Sequence, residues 1–344
     1  MFHPDGKHVL GGNDDGIWRW RLSDGQEVRK QTGTVVFAIS VSRDQKWIVC
    51  GTQKGASVWD GEMQDRVVDV EGGKAVYAVD ISPDSTRIAT GTRNKEASIW
   101  SIRAGRRLVG PLAHDRHVTG IRFSPNGERI ATAGNSIRIF DSHTGDILVT
   151  INDVIDTHPW VCTPLAWSCD GQQIIAAPSD NKIGAFDAST GVQLTESQIL
   201  YHGVHSIALP ANGKFVATFA DRSISFLDAA TLACIGPVIE DGKRIRSVAI
   251  SPDGAHLATG QWDGTIIIRD LVNILPDLYG PFNASICAFT LRSISHVDKI
   301  RRYPLANKLL GNPVELCPRD TVTAIMMISS GYHLNLFSPR SKFS

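Results

Sequence analysis

The residues able to do chemistry in this 344-residue chain are few and scattered. His114 and His117 form a close histidine pair, with two residues between them. No Cys or carboxylate array stands beside them to complete a metal site. Asp180, Asp221 and Asp263 recur at a wide, regular interval and could ring one face, which is where a catalytic site would need its carboxylates. The sequence contains no P-loop, no HExxH, no GxSxG elbow and no GxGxxG opening a helix. Six cysteines (Cys50, Cys162, Cys169, Cys234, Cys287, Cys317) show no CxxC pair. That pattern fits reduced thiols in a cytosolic or nuclear compartment better than a disulfide framework or a zinc site. The expectation is a protein without catalytic, cofactor or metal residues.

Charge narrows the partners. Lys plus Arg and Asp plus Glu both number 35, so no global basic field attracts nucleic acid or anionic lipid. No apolar run is long enough to span a bilayer. The opening Met1-Phe2-His3-Pro4-Asp5-Gly6 is turn chemistry rather than a signal peptide, and Asn283-Ala284-Ser285 is a sequon that matters only on secretion.

The wide interval of the Asp residues is part of a repeat. A tight-turn phrase returns at Asp5, Asp44, Asp84, Asn126, Asp170, Asn212 and Asp253, with spacings of 39, 40, 42, 44, 42 and 41 residues. It reads Pro4-Asp5-Gly6, Pro83-Asp84-Ser85 or Pro252-Asp253-Gly254. Pro presets φ, Asp or Asn bonds its own backbone, and Gly tolerates positive φ. Between the turns lie β-branched segments such as 245–250 and 265–270, and small-residue segments such as Ala89-Thr90-Gly91 and Ala258-Thr259-Gly260. Neither kind alternates strictly, which suits sheets packed on both faces. Seven such units predict an all-β chain: a seven-bladed β-propeller over residues 1–290 with a non-repeat C-terminal tail over 291–344.

The third strand of each unit ends in Trp20-Arg21, Trp59-Asp60, Trp100-Ser101, Phe140-Asp141, Phe186-Asp187, Leu227-Asp228 or Arg269-Asp270. On these endings and the turns, the chain resembles the WD40 repeat family over about residues 2–290, and most closely its expanded fungal members. In that family a Trp, a Ser or Thr, an Asp before the third strand and an upstream His bond across a blade. The Asp position here holds Asp14, Gln53, Asn94, Asp180, Asp221 and Asp263, with the fourth unit one residue short around Asn135. His114 and His202 stand where the His would, and no unit holds the complete set. Asp14, Asp180, Asp221 and Asp263, with Trp20, Trp59 and Trp100, therefore read as structural.

Ring closure needs an inner strand for the first blade, because Phe2 already precedes the first turn. Leu278-Tyr279-Gly280-Pro281-Phe282 resembles two outer strands, at Leu108–Leu112 and Cys234–Val238, and is expected as the outer strand of blade seven. Residues 284–290 are then expected to complete blade one; the rival is a chain whose earlier residues completed it. The tail carries eight basic residues against three acidic ones, and the apolar run 322–328 could form a strand. A degenerate repeat, a poorly ordered appendage and a mis-joined exon all remain open for it.

The resemblance implies a partner face on the rim formed by the loops between strands two and three and those entering strand one. There the sequence places Asn13, Lys54, Arg93, Lys95, Arg116, Trp160, Asn181, Arg222, Arg244 and Trp262. The expected function is a non-enzymatic scaffold binding protein or peptide partners, cytoplasmic or nuclear, as a monomeric propeller within a complex. Two alternatives stand beside it: a small-ligand binder or enzyme at the channel mouth, and the sensor part of a larger nucleotide-switching protein.

Overall fold

The computed structural model describes residues 1–152, 165–179, 182–198, 200, 204–279, 288–292 and 301–303. Seven antiparallel sheets follow one another along the chain. The second is typical: Val36–Val41 innermost, then Trp47–Thr52, Gly55–Asp60 and Arg66–Val70. Blades three to six repeat this order of four strands. Blade one has three, His8–Gly12, Gly16–Arg21 and Glu27–Gln31. Blade seven has five, beginning with Ile245–Ile250, His256–Gln261 and Thr265–Asp270. The chain is thus a seven-bladed all-β propeller.

The recurring turn joins the first two strands of each blade, and its chemistry explains its recurrence. In blade two Asp44 Oδ1 accepts from the Ser42 hydroxyl at 2.7 Å and from Lys46 N at 3.2 Å, while Ser42 Oγ accepts from Trp47 N at 2.9 Å. The same three bonds recur at Ser168, Asp170, Gln172 and Gln173. The residue after the Asp or Asn is left-handed every time, from Ser85 at φ +59° to Gly127 at +78°. A second Asp device closes the turn after strand three. Asp187 accepts from Ser189 N, Thr190 N and both hydroxyls, which hold its carboxyl down at about 2, the Ser189 hydroxyl contributing most.

Apolar side chains gather between blades rather than within one. Among the described residues seven buried clusters each straddle two neighbouring blades, such as Val49, Val58 and Val70 against Val76, Val79 and Ile88. The small residues of the second strands set this spacing. A Cβ on Gly91 would come within 2.7 Å of the Val118 side chain in the next blade, and one on Gly51 within 2.9 Å of Val76. The last cluster closes the ring: Val9, Trp18 and Trp20 of blade one against Ala258 and Ile268 of blade seven.

Closure departs from expectation in three ways. Phe2 itself bridges Val9 at the inner edge of blade one, and Met1 exchanges backbone bonds with Leu10 at 2.7 Å. Residues 276–279 are a helical turn, not an outer strand. Asp270 caps the preceding turn, Leu271–Ile274, by accepting from Val272 N at 2.9 Å, and Pro276 suits a helix start. Leu271, Ile274 and Leu275, at helical spacing, bury against blades six and seven. Third, Ala288–Arg292 pairs with Thr265–Ile268 as the fourth strand of blade seven, and Arg301–Tyr303 adds a fifth. The described part of the segment expected in blade one thus lies on the outer side of the third strand of blade seven, and pairing continues past residue 290. Residues 280–287 and 322–328 lie outside the described residues.

Candidate functional site

The upper rim is built from the turns between second and third strands and from the loops entering each first strand. Repeating backbone bonds weld the two kinds together. Gln53 N, Arg93 N and Trp262 N donate to Val35 O, Ala75 O and Arg244 O within their own blades, at 2.8–3.1 Å. Val36 N, Val118 N and Ile245 N donate to Asn13 O, Thr92 O and Asp221 O of the preceding blade, at 2.7–3.1 Å. Side chains on this rim therefore project from backbone fixed on two sides.

The structure brings several of the expected rim residues to this surface. Lys54, Arg93, Lys95, Arg116, Arg222, Arg244 and Trp262 are all exposed. Trp262 is 64% exposed, and the Arg246 guanidinium lies over its ring at 4.8 Å. Asn13 serves the turn instead, its Oδ1 accepting from Asp15 N and Gly16 N at 3.0 Å each. Trp160, Asn181, Asp180 and His202 lie outside the described residues.

Three rim residues went unnoticed in the sequence. Phe37 and Tyr77 follow the buried Val36 and Val76 at the entry to their strands, as Arg246 follows Ile245. Phe37 and Tyr77 meet edge to face at 5.1 Å, and Tyr77 meets His117 at 6.1 Å. Half-buried Phe37 and His117 thus flank the buried Tyr77 across blades two to four, while the Trp262–Arg246 stack stands exposed on blade seven.

The carboxylates on this rim are engaged. Asp221 accepts from Arg244 Nε at 2.6 Å. Asp263 pairs with Lys243 and accepts from Thr265 N at 3.0 Å. Partial burial alone would raise the Asp263 carboxyl, but the bonds from Lys243 and Thr265 outweigh it and hold it below its usual range. In blade one Asn13 and Asp15 bond the turn and Asp15 pairs with Arg29, so Asp14 is not the residue that fixes it. On the inner wall Asp80 ties three blades, accepting from Ser40 Oγ at 3.3 Å and Phe123 N at 2.8 Å. Burial pushes its carboxyl up, against the opposing Arg122 charge.

The cross-blade polar sets are partial and varied. In blade three Trp100 Nε1 donates to Thr90 Oγ1 at 3.0 Å, and that hydroxyl reaches Glu71 at 3.5 Å. Blade seven replaces indole and glutamate by an ion pair: Arg269 Nη1 donates to Thr259 Oγ1 at 3.0 Å and Nη2 to Asp241. In blade four His114 packs edge to face on Phe140 at 5.7 Å, which offers its imidazole no hydrogen bond. Burial, then the Arg138 charge, lowers the His114 pKa from 6.5 to about 4. The unfolded chain therefore takes up a proton that the folded blade resists. Stability contributed by neutral His114 is present above about pH 6.5 and is lost as pH falls toward 4, by about 3 kcal/mol in all. Denaturation midpoints measured across that window should flatten in a His114→Leu variant.

Among the described residues, His3, Asp5 and His8 bring three metal-competent atoms within 4.8 Å of one another. The trio sits in the first lower turn, where His3 stands at the position that five of the other six turns fill with Ser. Both His Nδ1 atoms contact Asp5 Oδ2, at 3.1 and 2.6 Å, and Asp5 Oδ1 caps Lys7 N. Those bonds reproduce the turn chemistry of the other blades.

Comparisons with known proteins agree with this architecture. The family described as "WD domain, G-beta repeat" matches residues 66–101, 106–141 and 234–270. Each match begins in the outer strand of one blade and ends in the third strand of the next. The chain is 24% identical over 200 residues to eukaryotic translation initiation factor 3 subunit I of Emericella nidulans, covering 54% of this chain and 59% of that protein. It is 24% identical over 245 residues to autophagy-related protein 16 of Arabidopsis thaliana, covering 67% and 47%. The Aspergillus terreus initiation factor 3 subunit I is 25% identical over 200 residues, covering 54% and 59%. The matches span about half the length of these curated relatives. The chain is thus a seven-bladed β-propeller that carries WD40 repeats at these three stretches.

Proposed function

We propose that this propeller is a non-enzymatic platform that docks a protein or peptide segment on its upper rim. Trp262 carries the reading. A tryptophan 64% exposed, with its backbone N bonded to Arg244 O and a guanidinium stacked over its ring, has the composition of a binding hot spot. Arg93, Lys95 and Lys54 extend the same surface with exposed basic groups, and the half-buried Phe37, backed by the buried Tyr77, adds aromatic area. The engagement of Asp221 and Asp263 with Arg244 and Lys243 favours docking over proton-transfer chemistry at this mouth. One relative is by its name a subunit of a larger factor, which supports a role within an assembly. No helix among the described residues is long and apolar enough to cross a membrane, and a cytoplasmic setting fits the chain's free cysteines Cys50, Cys169 and Cys234.

Affinity capture from source-cell lysate tests this reading, comparing wild type with Trp262→Ala and Trp262→Ala/Arg93→Glu. Trp262 packs under no core residue, so the variants should melt like wild type. Retention of specific proteins should fall about tenfold or more with Trp262→Ala, the effect of losing an anchor of about 2 kcal/mol. Equal retention by both folded variants would remove the rim as the docking face.

A further inference from the structure

The lower face repeats a second device. Arg87 and Arg129 open the second strands of blades three and four, and each reaches into the following blade. Arg87 donates from Nη2 to Gly127 O at 2.9 Å and from Nη1 to Ser142 O at 3.2 Å. Arg129 donates from Nη2 to Gly171 O at 2.8 Å and from Nη1 to Ala188 O at 3.3 Å. Each guanidinium also lies over a ring at the end of the next inner strand, Phe123 at 5.4 Å and Trp167 at 5.2 Å. Two carbonyls from two turns, over an apolar platform, make a guanidinium seat.

Blade five carries Gln173 at the Arg position, and the seat it faces on blade six is formed in the same way. Gly213 is left-handed at φ +63°, as Gly127 and Gly171 are at +78° and +70°. Ala229 N bonds Lys214 O at 3.1 Å, as Ser142 N and Ala188 N bond Glu128 O and Gln172 O at 2.8 Å. The repeat thus places Gly213 O and Ala229 O where the two guanidinium acceptors stand in the sister blades. Neither oxygen accepts a hydrogen bond from another described residue. Blades two, six and seven fill this position with Trp47, Phe215 and His256. At Gln173 a pocket of about 290 Å³ opens instead, lined by Gln173, Leu209, Gly213, Ala229 and Asp170. Leu209 replaces the ring as platform. The Ser168 hydroxyl and Gln172 N hold the Asp170 carboxyl below its usual range, so it is anionic at neutral pH.

We propose that the pocket between blades five and six binds an arginine side chain presented by a protein partner. The planar fork reaches two carbonyls at once, which a lysine ammonium cannot match, and Asp170 supplies the counter-charge. This site lies on the face opposite the rim and does not depend on the docking there.

The probes are acetyl-Gly-Arg-Gly amide and acetyl-Gly-Lys-Gly amide, titrated against the full chain with saturation-transfer NMR on the peptide. The arginine peptide should bind saturably and at least about fivefold tighter than the lysine peptide. Gln173→Arg should fill the seat internally, abolish that binding and raise the melting temperature. Asp170→Asn should weaken it severalfold without unfolding the turn, because Asn126 makes the same turn bonds in blade four. Trp262→Ala should leave the titration unchanged, which separates this site from the rim. No saturable binding, equal binding of the lysine peptide, or unaltered binding in folded Gln173→Arg would each overturn the assignment.

Discussion

Replacing Arg269 by Ala is expected to destabilise the propeller by about 3–5 kcal/mol, among the largest single-residue effects in the chain. The Arg269 and Asp241 side chains are 7% and 4% exposed. Burial pulls the guanidinium pKa down and Asp241 opposes that, so each charge depends on the other. Truncation leaves a buried carboxylate whose remaining side-chain partner among the described residues is the Thr259 hydroxyl at 3.4 Å. The decisive comparison is the double substitution Arg269→Trp/Asp241→His. With Thr259 and Asp263 it supplies the full polar set of the repeat family, and blade three already shows the indole-to-threonine bond at 3.0 Å. Denaturant unfolding should find the double variant well above the single. A double variant as unstable as Arg269→Ala would show that blade seven needs the ion pair itself.

Arg87→Met should cost about 3 kcal/mol while keeping the apolar stem over Phe123. It removes donors to Gly127 O and to both oxygens of Ser142, all in the neighbouring blade. Arg129→Met should cost less, because Arg129 is half-buried where Arg87 is buried and makes one bond fewer to its turns. Thermal melts of the two variants test that order. Equal or reversed effects would mean that blade-to-blade bonding on the lower face does not set stability.

The fold was legible because its signal is local and repeated. Each tight turn needs an acceptor side chain and a left-handed residue within four positions, and both survive at every unit, from Asp5-Gly6 to Asp253-Gly254. The end of the ring was less legible. Leu278-Tyr279-Gly280-Pro281-Phe282 copies an outer-strand phrase, but its meaning is set by the Asp270 cap and by Leu271, Ile274 and Leu275 just before it. Helical spacing over so few residues is easily overridden by a longer resemblance.

The candidate sites divide in the same way. Trp262 was expected on the rim because it precedes a turn, a local fact. Its partner Arg246 was missed because stacking depends on the register of the inner strand beside it. Arg87 and Gly127 are far apart in sequence and meet only once two blades pack, so neither the guanidinium seats nor the pocket at Gln173 could be read from one unit. Aligning the units by their turns, and comparing the first residue of each second strand, would have exposed Gln173 as the position lacking both an arginine and a ring.

The most direct test of the docking face is hydrogen exchange on the chain with and without a partner captured through it. Protection should concentrate in the upper turns, at residues 92–95, 221–222 and 261–264, and be absent from that region in Trp262→Ala. Protection confined to the lower turns, at residues 126–128 and 251–255, would contradict the account and move the platform to the opposite face.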